Sequence, residues 1–237
     1  MANLIIDVGN TALKASWADG ITLGKTFRYQ GERFIDFILS LTEKVKPEVM
    51  VIASSREITS KNESKLRREC SKLLILDINH KDIYGMYELP EYLSPDRAAS
   101  VIASRFIFKG KAATVFDFGT TLTVDFIDEK GKYLGGNVSL GFRTRFKALN
   151  RYSRSLPLLS ISDDILELGN TLNSSVEAGV LRGLIYEIEG YLSEIHENII
   201  IFTGGDAIYF AKKMKNSIFV VCNLVLMGLA IIADKYE

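Results

Sequence analysis

The sequence contains little cysteine and carries no net charge, and each shortage excludes a class of protein. Its two cysteines, Cys70 and Cys222, lack the spacing of metal ligands and argue against a disulfide-stabilised secreted domain. The 29 basic residues are balanced by 29 acidic ones, so the composition predicts no basic surface for nucleic acid or for an anionic membrane. We therefore expect a protein of a reducing compartment that binds small molecules.

Long hydrophobic runs are lacking as well. The most apolar segment, Ile218 to Ala233, has 16 residues and contains Asn223 and Gly228. A spanning helix needs about 20 apolar residues, so this segment predicts a buried strand and helix instead. The N-terminus enters a strand without a basic and apolar leader. We expect a cytoplasmic protein with neither a membrane partner nor a nucleic-acid partner.

One short pattern occurs twice. Leu4 to Thr11 reads LIIDVGNT and Val115 to Thr121 reads VFDFGTT, so an apolar strand runs into D-x-G-x-T in both places, 110 residues apart. Each copy continues into a second strand, a turn with glycine and a third strand. The turn glycines, Gly20 and Gly131, follow their respective acids by 13 and 14 residues. The repeat predicts two halves of similar construction.

Between and after the two copies, helices alternate with strands, as in an α/β protein. We predict helices at 32–46, 60–71, 144–150, 175–196, 206–214 and 224–235, and a further helix starting near residue 94. We predict strands at 4–6, 12–17, 21–27, 49–53, 73–76, 114–116, 122–127, 132–134, 199–202 and 218–221. The predicted domains are residues 1–109 and 110–237, with a ligand in the cleft between them.

The D-x-G-x-T turn combines three chemical groups suited to phosphate. Glycine allows close approach of the backbone, threonine and nearby N–H groups donate to phosphate oxygens, and the carboxylate can organise a cation. A single copy is explained as well by a hairpin turn, but the paired copies favour phosphate binding. The P-loop and dinucleotide-binding patterns, G-x-x-x-x-G-K-[ST] and G-x-G-x-x-G, are both absent from the sequence.

A third glycine-containing turn follows the apolar strand of Ile199 to Phe202. It reads Thr203-Gly204-Gly205-Asp206, and its paired glycines permit close approach by a base or a ribose. The alternative is an ordinary strand-to-helix turn in which Asp206 caps the next helix.

A candidate catalytic acid stands between the two copies. Ser94, Pro95 and Asp96 suit the first positions of a helix, where Asp96 would interact favourably with the helix dipole. Arg97 opposes that dipole, which favours an anionic partner such as a substrate, although a surface ion pair also explains it. In a kinase, Asp96 could orient an acceptor hydroxyl and accept its proton.

Together these residues resemble the type III pantothenate kinases of the acetate and sugar kinase/actin-like superfamily, over nearly the whole chain. The matching motifs are Asp7-Val8-Gly9-Asn10-Thr11, Tyr87-x-x-Pro90-x-x-x-x-x-Asp96-Arg97, Asp117-Phe118-Gly119-Thr120-Thr121, Gly135-Gly136, Gly141, Ala148-Leu149, Leu156-Pro157 and Thr203-Gly204-Gly205-Asp206-Ala207. The resemblance implies two similar actin-like (ribonuclease H-like) domains. It also implies transfer of the γ-phosphoryl group of ATP to pantothenate, which gives 4′-phosphopantothenate for coenzyme A synthesis.

The resemblance also implies roles for particular residues. The ATP-binding residues would be Asp7, Val8, Gly9, Asn10, Thr11, Ala12, Leu13, Lys14, Thr120 across the cleft, Gly204 and Gly205. The pantothenate-binding residues would be Tyr87, Ser94, Pro95, Asp96, Arg97 and Thr171. Asp96 would be the catalytic base and Asp117 would bind a monovalent cation, K⁺ or NH₄⁺, while Mg²⁺ accompanies ATP. Family members are homodimers with pantothenate near the subunit interface.

The sequence departs from the family pattern at three places. Ser94-Pro95 replaces Gly-Ala or Gly-Val before the Asp-Arg pair, and Leu140-Gly141 replaces Pro-Gly. Thr171 matches the substrate threonine only if one residue is inserted before Gly179. The alternatives to a pantothenate kinase are another small-molecule kinase of the superfamily and a catalytically inactive, nucleotide-binding regulatory protein.

Overall fold

Two five-stranded sheets with the same strand order form the framework of the chain. The computed structural model describes residues 2–159, 166–195 and 197–236. The first five strands of the chain form the first sheet, in the order third, second, first, fourth, fifth, and the next five form the second sheet, in the order eighth, seventh, sixth, ninth, tenth. In each, the strand that leads into D-x-G-x-T pairs antiparallel with the next strand and parallel with a strand that follows a helix. The sequence repeat is therefore a repeat of topology.

The observed strands and helices occur in the predicted order, apart from one short helix that was not predicted. The strands are β1 (Asn3–Val8), β2 (Leu13–Asp19), β3 (Thr22–Tyr29), β4 (Val49–Ser54), β5 (Lys72–Leu76), β6 (Ala113–Phe118), β7 (Thr121–Ile127), β8 (Tyr133–Leu140), β9 (Ile199–Gly204) and β10 (Phe219–Val220). The helices are α1 (Phe34–Thr42), α2 (Ser60–Arg67), α3 (Asp82–Met86), α4 (Pro95–Ile107), α5 (Phe142–Tyr152), α6 (Leu172–Glu194), α7 (Ala207–Ala211) and α8 (Leu224–Asp234). Within the described residues, no helix combines the length and the apolar character required to cross a bilayer.

The first sheet is covered on both faces. Every residue of β4 is buried, as expected for a central parallel strand. On one face, Ile38 of α1 and Leu66 of α2 pack with the strands, and on the other face α4 and α8 do so. The predicted helix 32–46 is too long, because α1 ends at Thr42 and leaves Val45 exposed ahead of Pro47.

The second sheet packs against the long helix α6. Leu184 and Ile188, one turn apart on that helix, are fully buried against the aromatic residues Phe116 and Phe202 of β6 and β9. Phe118 continues this aromatic cluster to Phe210 of α7, with ring centroids 5.0 Å apart. The cluster fixes the end of β6, where the second D-x-G-x-T turn begins.

The division of the chain into two compact units differs from the predicted domains at three places, of which the first is the single residue Gly110 at the boundary. The first unit comprises Met1–Gly110, Lys130–Tyr133 and Asn223–Glu237, and the second comprises Lys111–Glu129 and Leu134–Cys222. We had assigned 130–133 and 223–237 to the second domain. The physical reason is packing: α8 is apolar and lies against α4, β1 and β4 of the first unit, with Leu229 and Ile232 fully buried.

Candidate active site

The first D-x-G-x-T loop connects β1 to β2. Asp7 lies near the end of β1, paired in register with Lys14 of β2, and Gly9 N–H donates to the Ala12 carbonyl at 3.1 Å. Val8 and Leu13 are buried in the core, so they can face a ligand only through the backbone. Asn10 and Thr11 at the tip of the loop are exposed. The loop therefore offers a carboxylate, backbone amides and a hydroxyl.

The second loop is tighter than the first. Gly119 N–H donates to the Thr121 carbonyl at 3.0 Å, and β7 starts directly at Thr121. The Thr120 carbonyl accepts hydrogen bonds from Gly141 N–H at 3.0 Å and from Thr144 Oγ1 at 2.6 Å. A side chain at Gly141 would overlap the Gly119 carbonyl oxygen, so the start of α5 packs directly on the loop. This contact explains why glycine is retained where the family pattern has Pro-Gly.

Asp117 lies between two glycine-containing turns of the second unit. Its register partners are Thr123 of β7 and Thr203 of β9. Its Oδ1 approaches Gly204 so closely that a Cβ atom there would overlap it. Gly204 has a φ of +92°, a backbone angle that residues other than glycine rarely adopt. The Gly204 backbone and the Asp117 carboxylate are thus held in contact.

Asp206 follows the second glycine-containing turn and stands at the start of α7. Its side chain makes no capping bond, and its Oδ1 accepts from Arg143 Nη2 at 3.2 Å. Asp206 therefore takes the predicted N-cap position, but its carboxylate bonds to Arg143, a neighbour that the sequence did not indicate. Gly205 is open, since the nearest atom to an added Cβ would be the Phe118 carbonyl oxygen at 4.0 Å.

Asp96 lies in the first turn of α4. Ser94 takes the N-cap position and Pro95 the first helical position, as predicted, although the Ser94 hydroxyl makes no capping bond. Asp96 Oδ1 accepts from the Arg97 backbone N–H at 2.9 Å. The carboxylate is only partly buried, so a ligand can reach it.

Tyr84 of α3 is a buried tyrosine that is subject to the charges of two acids, Asp96 and Asp77. Tyr84 is fully buried, and its hydroxyl donates to the Leu93 carbonyl at 3.0 Å. Burial, followed by the negative charges of Asp96 and Asp77, raises the pKa of the Tyr84 hydroxyl well above its ordinary value. The hydroxyl therefore stays neutral and keeps its hydrogen bond.

Arg97 does not reach into solvent. It is 8% exposed, and its Nη2 donates to the Tyr133 hydroxyl at 3.1 Å. Tyr133 starts β8 and belongs to the first unit, a placement that the sequence did not predict. Arg97 therefore contacts a tyrosine hydroxyl of the same unit, and its predicted role in binding an anionic substrate stays a prediction.

Two predicted substrate residues have structural contacts of their own. The carbonyl of Tyr87 accepts from Arg105 Nη1 at 2.6 Å, and its ring lies under Lys235 Nζ. Thr171 caps α6: its hydroxyl accepts from Ser174 N–H at 3.2 Å, while Ser174 Oγ accepts from Thr171 N–H at 2.9 Å. These contacts explain both residues without a ligand, so their substrate roles stay predictions.

A cavity of about 420 Å³ lies at the carboxyl ends of β1, β4 and β5 within the first unit. In sheets of this type ligands bind at that edge. Its lining is Asn10 of the first loop, residues 54–57 after β4, residues 77, 78 and 81 after β5, and residues 92–95 before α4. The cavity joins the first D-x-G-x-T loop to the helix start that carries Asp96.

Asp7 and Asp117 can each supply a carboxylate oxygen to a cation whose other ligands do not come from acidic side chains. The described residues contain no group of three or more His, Cys, Asp or Glu side chains arranged to bind a metal. Asp7 and Asp117 each stand beside backbone groups of a glycine-containing loop. A single carboxylate at a loop of this kind, such as Asp7, can serve as one protein ligand of an Mg²⁺ ion that phosphate and water otherwise surround.

The family model and the curated relatives that match this chain name the same family. The family model for type III pantothenate kinase matches residues 3–194. A curated type III pantothenate kinase from Phocaeicola vulgatus is 35% identical over 234 residues, which cover 96% of this chain and 96% of the relative.

Solved structures share the fold at lower identity. A Campylobacter jejuni protein described as a Baf family transcriptional activator is 20% identical, with a TM-score of 0.66 and 98% of both chains covered. A ROK family glucokinase from Streptomyces griseus, in complex with glucose and AMPPNP, is 13% identical, with a TM-score of 0.57 over 99% of this chain and 100% of the other. The two α/β units are therefore actin-like.

Proposed function

The chain belongs to the type III pantothenate kinase family, and on that premise we propose that it phosphorylates pantothenate with ATP. The product is 4′-phosphopantothenate, which enters coenzyme A synthesis. The observation that carries the proposal is the cavity of the first unit, because it joins Asn10 of the phosphate loop to Ser94 and Pro95, next to Asp96. A phosphoryl donor and an alcohol acceptor can meet there beside a carboxylate.

Asp96 serves as the base of the transfer. The acceptor hydroxyl oxygen bonds to the γ-phosphorus while the bond from that phosphorus to the β,γ-bridging oxygen breaks, and ADP leaves. Asp96 orients the hydroxyl and takes its proton late in the reaction. The position in the first turn of α4 places this carboxylate at the positive end of the helix dipole.

The proposed ATP-binding residues belong to the two D-x-G-x-T loops and to the turn after β9. The loop from Asp7 to Leu13, with Lys14, binds phosphate oxygens chiefly through its backbone amides and the Thr11 hydroxyl. Thr120 serves the phosphates from the second unit, and Gly204 and Gly205 serve the adenosine. The openness beside Gly205 supports that role, because a flat group can approach the backbone there.

Two cations accompany the reaction in this proposal. Mg²⁺ travels with ATP and neutralises phosphate charge, with Asp7 as a protein carboxylate near it. Asp117 binds a monovalent cation, K⁺ or NH₄⁺. The Asp117 carboxylate and the Phe118 carbonyl oxygen both lie beside Gly204, which supports this assignment because carbonyl oxygens bind K⁺ in proteins.

Pantothenate binding uses Ser94 and Pro95 at the cavity wall, and Lys81 supplies positive charge to the same wall for an anionic acceptor. Arg97, whose Nη2 also donates to the Tyr133 hydroxyl, stays a candidate residue for binding the substrate carboxylate. Tyr87 and Thr171 stay candidate substrate residues. A homodimer and a cytoplasmic location also stay predictions.

The test is an acceptor panel. ADP release is measured with Mg²⁺ and ATP in the presence of pantothenate, glucose or acetate, each in K⁺ and in Na⁺ buffer. We expect release only with pantothenate, and faster in K⁺. Release with glucose or acetate alone would assign the chain to another kinase activity, and ATP binding with no release at all would favour a regulatory protein.

A further inference from the structure

The first phosphate loop is held from one side by a single arginine. Arg56 follows β4, and its three guanidinium nitrogens donate to three backbone carbonyls: Nε to Gly9 at 3.1 Å, Nη2 to Asn10 at 2.9 Å and Nη1 to Gly31 at 3.3 Å. Two of the three carbonyls belong to consecutive peptide groups of the loop.

The arginine is itself fixed in place. The buried Ser54 hydroxyl donates to the Arg56 carbonyl at 2.6 Å and accepts from the Arg56 N–H at 3.2 Å. The guanidinium carbon lies 5.6 Å from the centre of the Phe34 ring, within cation–π range. A planar guanidinium with fixed donors can define the direction of its partners, which a flexible ammonium group cannot do as well.

The carbonyl directions determine the amide directions. All peptide bonds in the described residues are trans, and in a trans peptide the C=O and N–H of one group point in opposite directions. Because Arg56 binds the carbonyls of Gly9 and Asn10, the N–H groups of Asn10 and Thr11 point away from Arg56. Two adjacent N–H groups with a common direction form the concave anion site known as a nest.

In the second D-x-G-x-T loop a backbone carbonyl is also held by hydrogen bonds, but the donors are different. There the Thr120 carbonyl accepts from Gly141 N–H and from the Thr144 hydroxyl, both neutral donors. In the first loop, by contrast, the donor on the Gly9 and Asn10 carbonyls is the charged Arg56 guanidinium. A positive charge on the carbonyl side polarises the peptide groups and strengthens their N–H donors toward an anion.

We propose that Arg56 is a positioning residue that orients the Asn10 and Thr11 amides toward the ATP phosphates without touching the nucleotide. This inference depends on the proposed function, since it takes the first loop to be the phosphate loop. It predicts that the effect of Arg56 is confined to ligands that carry phosphate groups.

The test compares Arg56→Met and Arg56→Lys with Arg33→Met. Arg33 is a matched control, because it is an exposed arginine of the same unit whose Nε pairs with Asp36 at 2.7 Å. We expect Arg56→Met to raise KM for ATP and Ki for ADP about tenfold or more, given the strength of charged hydrogen bonds. Ki for adenosine and KM for pantothenate should stay at the wild-type values, and Arg56→Lys should fall between wild type and Arg56→Met.

Three outcomes would overturn the inference. If Arg56→Met shifted the adenosine and ADP constants equally, or lowered the melting temperature with no selective change in Arg56→Lys, Arg56 would be a general structural residue. If the constants matched those of Arg33→Met in an active enzyme, the inference alone would be wrong. If the wild-type chain bound no ATP by calorimetry, the proposed function would be wrong together with it.

Discussion

Gly204 and Gly205 are neighbours in the chain with opposite tolerance for a side chain. At Gly204 a Cβ atom would overlap Asp117 Oδ1 and approach the Phe118 backbone to 2.6 Å, and φ is +92°. At Gly205 the nearest atom would be 4.0 Å away. The first glycine is therefore required by the fold, and the second leaves room for a ligand.

This contrast gives a stability prediction. We expect Gly204→Ala to lower the free energy of unfolding by about 2 kcal/mol or more, through overlap and backbone strain. Gly205→Ala serves as the control and should change it by less than about 1 kcal/mol. Urea unfolding followed by circular dichroism measures both. Equal losses in the two variants would contradict the close contact between Asp117 and Gly204.

For individual residues, the sequence motifs predicted where the site residues lie in strands and helices, but they did not predict which distant residues these side chains contact. Asp7, Asp96 and Asp117 lie at the positions that the motifs predicted, because a strand end or a helix start is encoded locally. The bond from Arg97 to Tyr133 joins positions 36 residues apart, and the bonds from Arg56 to the first loop join positions 46 and 47 apart. Such pairs depend on how the sheet is assembled, so local patterns do not show them.

At the scale of elements, α6 begins with a reciprocal cap that sets its first turn. Thr171 and Ser174 each accept a hydrogen bond from the backbone of the other. We expect Thr171→Ala to destabilise the protein by about 1 kcal/mol, whereas Thr171→Ser keeps the hydroxyl and should be nearly neutral. Urea unfolding measures this. An unchanged Thr171→Ala stability, with KM for pantothenate raised and restored in Thr171→Ser, would show a substrate role in place of the cap.

The order of the elements was predictable because hydrophobic periodicity and turn residues are local signals. α3 was missed because its five residues are too few to show a helical period. The different lengths of the two phosphate loops were hidden by their common D-x-G-x-T pattern. The loop after Asp7 extends to Ala12, and the loop after Asp117 closes at Thr121.

At the scale of the whole molecule, the last helix completes the first unit. The buried residues of α8 include Leu224, Leu226, Leu229 and Ile232. Each such side chain contributes about 1.5–3 kcal/mol on burial, so their sum approaches the full stability of a typical domain. The sequence predicted the helix but not its partner, because an apolar helix can pack on either sheet.

Truncation after Cys222 tests this assignment. The only tryptophan, Trp17, lies in β2 and reports on the first unit. We expect the truncated chain to show unfolded Trp17 fluorescence and loss of amide protection in β1 and β4. The amides of β6 and β9 should remain protected. If protection were lost equally in both units, or retained in the first, α8 would not be its stabilising helix.

The central claim is that Asp96 is the base of a pantothenate kinase, and pantothenate-dependent ADP release tests it most directly. Wild type, Asp96→Asn and Asp82→Asn are compared, since Asp82 is an exposed acid in the first turn of another helix of the same unit. We predict that release requires pantothenate, that Asp96→Asn lowers kcat at least about 100-fold, and that Asp82→Asn matches wild type. Equal rates in Asp96→Asn and Asp82→Asn, or release independent of pantothenate, would contradict the account.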